Sequence, residues 1–138
     1  MRFIDTNVFL YAILKPRRRL TEKELEIKEK ARKIVSRVNN GERVLTTVVH
    51  ISEIANILED IIGVLNAAIF LRDIFAKKNI LIVSVDPKDY LESIFLALEK
   101  DVSVNDALAY VIMKKAGIKE IYTFDKHFEK LNVVIVNE

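Results

Sequence analysis

With 138 residues, 51% of them apolar and 30% charged, the chain is long enough to bury a core and too apolar to be disordered. It has no cysteine, which excludes disulfides, zinc–thiolate sites and cysteine nucleophiles together, and its two histidines leave any metal mainly to oxygen ligands, as magnesium and manganese prefer. A net charge of +2 neither demands nor excludes a nucleic-acid partner, and no apolar run approaches the roughly 20 residues of a membrane span. Charges and Asp5 interrupt the N-terminus where a signal peptide would be apolar, so one soluble, cytoplasmic domain over residues 1–138 is expected.

The first strand covers Phe3 and Ile4, starting at Arg2, and ends on Asp5. Residues 7–13 read as a short apolar helix stopped by Pro16, and residues 15–20 as a basic loop carrying Arg17, Arg18 and Arg19. Thr21 and Glu24 form a capping-box pattern. The helix it opens turns Leu25, Ala31, Ile34, Val35 and Val38 inward and stops at Asn40-Gly41. Residues 43–46 make the second strand. A helix follows over 48–62, with an apolar stripe of Ile51, Ile54, Ala55, Leu58, Ile61 and Ile62.

Gly63 breaks that helix, and another covers 65–77. Residues 80–83 are a third strand, apolar on both faces. Asp86-Pro87 starts a helix running to about residue 100. Ser103 caps the next helix, over 104–116, which Gly117 closes. Residues 120–124 are the fourth strand, Asp125 follows it directly, a helical turn covers 126–129, and residues 133–136 are the fifth strand. Short apolar strands alternating with helices point to a parallel sheet covered on both faces, a three-layer α/β/α domain.

In open parallel sheets ligands bind beyond the carboxyl ends of the strands, where strand order reverses. Asp5 and Asp125 stand at two such ends. Asp106 lies three residues after the cap Ser103, at the mouth of a helix whose continuation, residues 107–113, carries no charge and is therefore expected to be buried. Glu53 lies just beyond the edge of the stripe on the helix after strand two. Each acid also has a bland explanation: Asp5 and Asp125 as helix caps, Asp106 as half of a capping box, Glu53 as one charge on a solvated face. Several carboxylates brought together repel one another, and a divalent cation relieves that repulsion.

These motifs resemble those of PIN-domain nucleases, in particular VapC-type toxins, over the whole chain. Phe3-Ile4-Asp5-Thr6-Asn7 looks like the family's opening signature, and Ile51-Ser52-Glu53-Ile54 like its second acidic motif. Val104-Asn105-Asp106-Ala107-Leu108 resembles the third, and Thr123-Phe124-Asp125-Lys126-His127-Phe128 the fourth. The resemblance implies a five-stranded parallel sheet in the order 3-2-1-4-5 and magnesium- or manganese-dependent cleavage of RNA that leaves a 5′-phosphate. It further implies a homodimer, often bound by a VapB-like antitoxin. Carried over by residue, Asp5, Asp106 and Asp125 would hold the metal, and Glu53 would bind through a water or complete a second site. Asn7 and Thr123 would hydrogen-bond the ligand carboxylates or the attacking water. The basic loop and long charged helix over residues 15–37 form a larger segment after strand one than compact members of that family carry.

Other readings are a PIN nuclease of cellular RNA processing without an antitoxin, and a non-catalytic RNA- or protein-binding module. Receiver domains and haloacid-dehalogenase-type phosphatases also put Asp at a strand end. The second of these expects another Asp where this chain has Asn7, and the first an acid pair near its start and a Lys late at a strand end. Candidate RNA contacts are Arg17 to Arg19, Lys114, Lys115, Lys126 and His127; Lys114 and Lys115 equally suit a helix C-terminus. His50 lies one helical turn before Glu53, where a nitrogen ligand suits magnesium poorly.

Overall fold

The structure, a computed structural model, describes all 138 residues. Five strands, β1 (Arg2–Ile4), β2 (Val44–Thr47), β3 (Ile80–Val83), β4 (Glu120–Tyr122) and β5 (Val134–Val136), form one all-parallel sheet in the order 3-2-1-4-5. Six helices connect them: α1 (Thr6–Ile13), α2 (Glu22–Asn39), α3 (Val48–Ile62), α4 (Val64–Ala76), α5 (Pro87–Lys100) and α6 (Val104–Ala116). A 3-10 turn, Lys126–Lys130, precedes β5. No helix is long and apolar enough to cross a membrane.

Adjacent residues of β1 face opposite layers, as the two-residue period of a strand requires. Ile4 joins a core with Val8, Ile34, Ile54 and Leu58, beneath α1 to α4. Phe3 joins a second core with Leu108, Ile112, Met113 and Phe128, beneath α6 and the 3-10 turn. The uncharged face of α6 is buried throughout: Ala107, Leu108, Ala109 and Met113 have no exposure. Local signals end the helices as read from sequence. Thr21 and Glu24 make both bonds of the capping box, Pro87 opens α5, and Gly117 at φ 70° closes α6.

Three apolar residues expected inside are not. Leu25 is 52% exposed. Lys28, three residues on, lies opposite the last carbonyls of α1 and donates from Nζ to the Tyr11 and Leu14 oxygens, so the first turn of α2 overhangs the end of α1. Ile61 and Ile62 are also exposed. A 15-residue helix is about 22 Å long, whereas the four-residue strand it follows spans about 13 Å, so α3 overshoots the sheet. β4 also ends at Tyr122 rather than at residue 124. Of the aromatics on the helices, Phe9 is buried, while Tyr11, Phe75 and Phe95 are exposed.

Candidate active site

Strand order reverses between β1 and β4, so the segments leaving these two strands lie side by side. Asp5 follows β1 and is 6% exposed. Its Oδ1 accepts from the Thr6 N–H at 2.8 Å, capping α1, and its Oδ2 accepts from the Thr123 hydroxyl at 2.7 Å. Thr123 itself is fully buried beneath the cleft; its oxygen also accepts from the Asp125 N–H at 3.0 Å and lies 3.4 Å from the Asn7 amide nitrogen. Asp125 caps the 3-10 turn by accepting from the His127 N–H at 2.9 Å, and His127 Nδ1 lies 2.7 Å from the same oxygen. Asp5 and Asp125 are therefore caps and cleft residues at once.

Asp106 enters from α6. Its N–H donates to the Ser103 hydroxyl at 3.1 Å, but the reciprocal bond of a capping box is missing, which leaves the carboxylate facing the cleft. Glu53 comes from α3 and accepts from the Asn105 amide at 2.7 Å, so it is not the solvated charge that its place beside the stripe suggested. Asp5, Asn7, Glu53, Asp106, Asp125 and His127 all line one open cleft of about 570 Å³. Single ligand atoms of Asp106, Asp125 and His127 lie within 4.8 Å of one another.

The electrostatics reflect that crowding. Burial pushes the Asp5 carboxyl up to about 7; the Thr123 hydroxyl pulls it back, and the charges of Asp106 and Glu53 add to the rise. Burial, followed by the neighbouring Asp125 charge, lifts Asp106 to about 6. A set of carboxylates held short of full ionisation, with no thiolate and one flanking imidazole, fits a hard divalent cation such as Mg2+ or Mn2+. Replacing Thr123 with valine removes the hydroxyl that favours the ionised form of Asp5. Thr123→Val is expected to raise the Asp5 pKa by about one further unit, read from its carboxyl carbon in an NMR titration.

Sequence reasoning gave no role to Asn105, although it stands beside Asp106 in the third motif. Its partner Glu53 is 52 residues away, a pairing that no local pattern signals. His50 is buried, with both ring nitrogens engaged, and does not face the cleft as a ligand. Of the arginine run, Arg18 is tied to Glu24 through two bonds of 2.9 and 2.6 Å, while Arg17 and Arg19 are exposed. Lys115 pairs with Asp89, in keeping with a structural rather than an RNA-binding place.

A three-layer α/β/α architecture with a carboxylate cleft at its topological switch point defines the class. Within it, the chain belongs to the PIN-domain family, whose sequence profile, described as PIN domain, matches residues 2–134. Solved structures share the fold at low identity. Mycobacterium tuberculosis VapC20, described as a sarcin–ricin loop cleaving toxin, is 20% identical at a TM-score of 0.77, with 100% of both chains covered. A chain of a toxin–antitoxin complex from Klebsiella pneumoniae is 12% identical at 0.67, covering 100% of this chain and 98% of that one. A chain of FitAcB from Neisseria gonorrhoeae is 15% identical at 0.60, covering 99% and 97%. No curated protein sequence matches the chain.

Proposed function

We propose that this protein is a single-domain, metal-dependent endoribonuclease, the toxin of a VapBC-type toxin–antitoxin pair. The observation that carries the reading is the convergence of Asp5, Glu53, Asp106 and Asp125, from four separate segments, on one open cleft. Asp5, Asp106 and Asp125 would hold Mg2+ or Mn2+, with Glu53 engaged through a water or at a second position. When bound, such an ion makes a nucleophile from water near neutral pH and neutralises the charge that builds on phosphoryl oxygens.

The protein's own groups do the rest. Thr123 favours the ionised form of Asp5 against the burial that opposes it, and its 3.0 Å bond from the Asp125 N–H fixes the start of the segment that carries Asp125. Asn7, in the first turn of α1, lines the cleft where a phosphate or the attacking water would sit. Lys126 and His127 flank Asp125 and supply donors toward a phosphate backbone that four acids alone would repel.

The antitoxin partner rests on the toxin–antitoxin complex to which one structural relative belongs and on an apolar groove beside the cleft. Leu10, Tyr11, Leu14 and Ile27 line that groove between α1 and α2. A homodimer accounts for the exposed apolar faces of α4 and α5, where Val64, Leu65, Phe75, Leu91, Phe95 and Leu98 are more than half exposed. The test is incubation with mixed single-stranded RNA in manganese or in EDTA. Cleavage to 5′-phosphate ends that EDTA abolishes is expected. EDTA-insensitive cleavage, or no uptake of manganese in a calorimetric titration, overturns the reading.

A further inference from the structure

One buried histidine ties together three of the segments that carry the cleft acids. His50 lies in the first turn of α3, is 1% exposed, and meets the Phe3 ring edge-on with centroids 5.1 Å apart. Its Nε2 is 3.0 Å from the Asn105 carbonyl oxygen, which can only accept, so Nε2 carries the hydrogen. Nδ1, 2.7 Å from Thr47 Oγ1, then accepts from that hydroxyl. The His50 carbonyl accepts from the Thr6 hydroxyl at 3.3 Å, one residue beyond Asp5.

Asn105 continues the chain of bonds. Its carbonyl is held by His50, its amide donates to Glu53 Oε2 at 2.7 Å, and the next residue is Asp106. The Glu53 carboxylate has no other hydrogen-bond partner in the protein, so without Asn105 a half-buried side chain with three rotatable bonds has nothing to keep it aimed at the cleft.

We propose that His50 and Asn105 are positioning residues for the metal centre. His50 clamps the first turn of α6 to that of α3, and Asn105 holds the Glu53 carboxylate at a fixed distance from Asp106. The inference deepens the nuclease reading and rests on it. His50 is thereby assigned a role that excludes direct ligation, since neither ring nitrogen has a free lone pair.

The test is a double-mutant cycle read by calorimetric titration with Mn2+, using wild type, Asn105→Ala, Glu53→Ala and the double variant. Asn105→Ala is expected to weaken Mn2+ binding about tenfold, the usual scale for a residue that orients a ligand. In the Glu53→Ala background the same substitution is expected to change nothing further, because its target is gone. His50→Gln, whose amide N–H replaces Nε2–H, is expected to stay within about twofold of wild type, whereas His50→Leu loses as much affinity as Asn105→Ala. An unchanged dissociation constant in Asn105→Ala overturns the inference and leaves the nuclease reading standing. Equal losses in both backgrounds also overturn it, by showing a general loosening of the fold. Wild-type protein that takes up no Mn2+ and leaves RNA intact sinks the nuclease reading itself, and the positioning role with it.

Discussion

Asp106→Asn is expected to lower RNA cleavage by at least about 100-fold while making the metal-free protein more stable. The two effects have one cause. Asp106 is partly buried beside Asp125, and burial first, then that neighbouring charge, lift its pKa to about 6. Near pH 7.5 the folded protein must therefore carry a charge that its surroundings oppose. Asparagine keeps the shape and the backbone N–H that donates to Ser103, so the helix start is preserved. It removes the charge that a divalent cation needs and that its neighbours repel. The rise from 3.8 to about 6 corresponds to at most ~3 kcal/mol, and partial exposure reduces it to roughly 1 kcal/mol, or ~3 °C in Tm for a chain of this size. Single-turnover cleavage in Mn2+ and thermal unfolding in EDTA read the two sides. Lost cleavage with a lower metal-free Tm would assign Asp106 a structural role; retained cleavage would remove it from the site.

The legible parts of the sequence are those set by local rules. A short apolar strand ending on an acid placed Asp5 correctly at the end of β1, whereas Asp125 lies two residues further from the end of β4 than expected; the uncharged run in α6 correctly foretold burial. Caps and breakers gave nearly every helix boundary. The order of the strands came from the family resemblance, because nothing in apolar pairs such as Phe3-Ile4 or Ile121-Tyr122 says which strand lies beside which. What failed was whatever depends on the length of a neighbour. The periodicity of α2 and α3 shows which residues share a face, but not that Leu25 overhangs α1 or that Ile61 and Ile62 run past the sheet. Glu53 was ambiguous for a related reason. Its place at the edge of a stripe suits solvent or a cleft equally, and the start of α6, 52 residues away, decides between them.

The pH dependence of stability is expected to change sign when metal is added. An acid whose folded pKa lies above its unfolded value binds more protons folded than unfolded between the two, so stability falls as pH rises through that window. For Asp5 the window runs from 3.8 to about 7, and for Asp106 from 3.8 to about 6. Taking the metal-free protein from pH 8 to pH 6 should therefore stabilise it, by at most ~2 kcal/mol. His50 opposes this trend in part. Burial depresses the pKa of its ring, so the folded state resists a proton that the unfolded chain accepts, and some stability is lost as pH falls below about 6.5. Further down, the Asp89 and Glu24 carboxylates, held low by hydrogen bonds from Lys115 and Arg18, lose those partners' support. Two raised acids outweigh the one histidine, so metal-free stability is expected to keep rising below pH 6 until the support at Asp89 and Glu24 fails. A divalent cation competes for the same carboxylates in their ionised form, and a ligand that binds only the folded state stabilises it by RT ln(1 + [L]/Kd). Its contribution grows as pH rises, against the intrinsic trend. Unfolding scans from pH 5.5 to 8.5, in EDTA and in millimolar Mn2+, should give Tm falling above pH 6 in the first series and rising in the second. Parallel curves would mean that the ion does not bind at Asp5 and Asp106, whatever it does elsewhere on the protein.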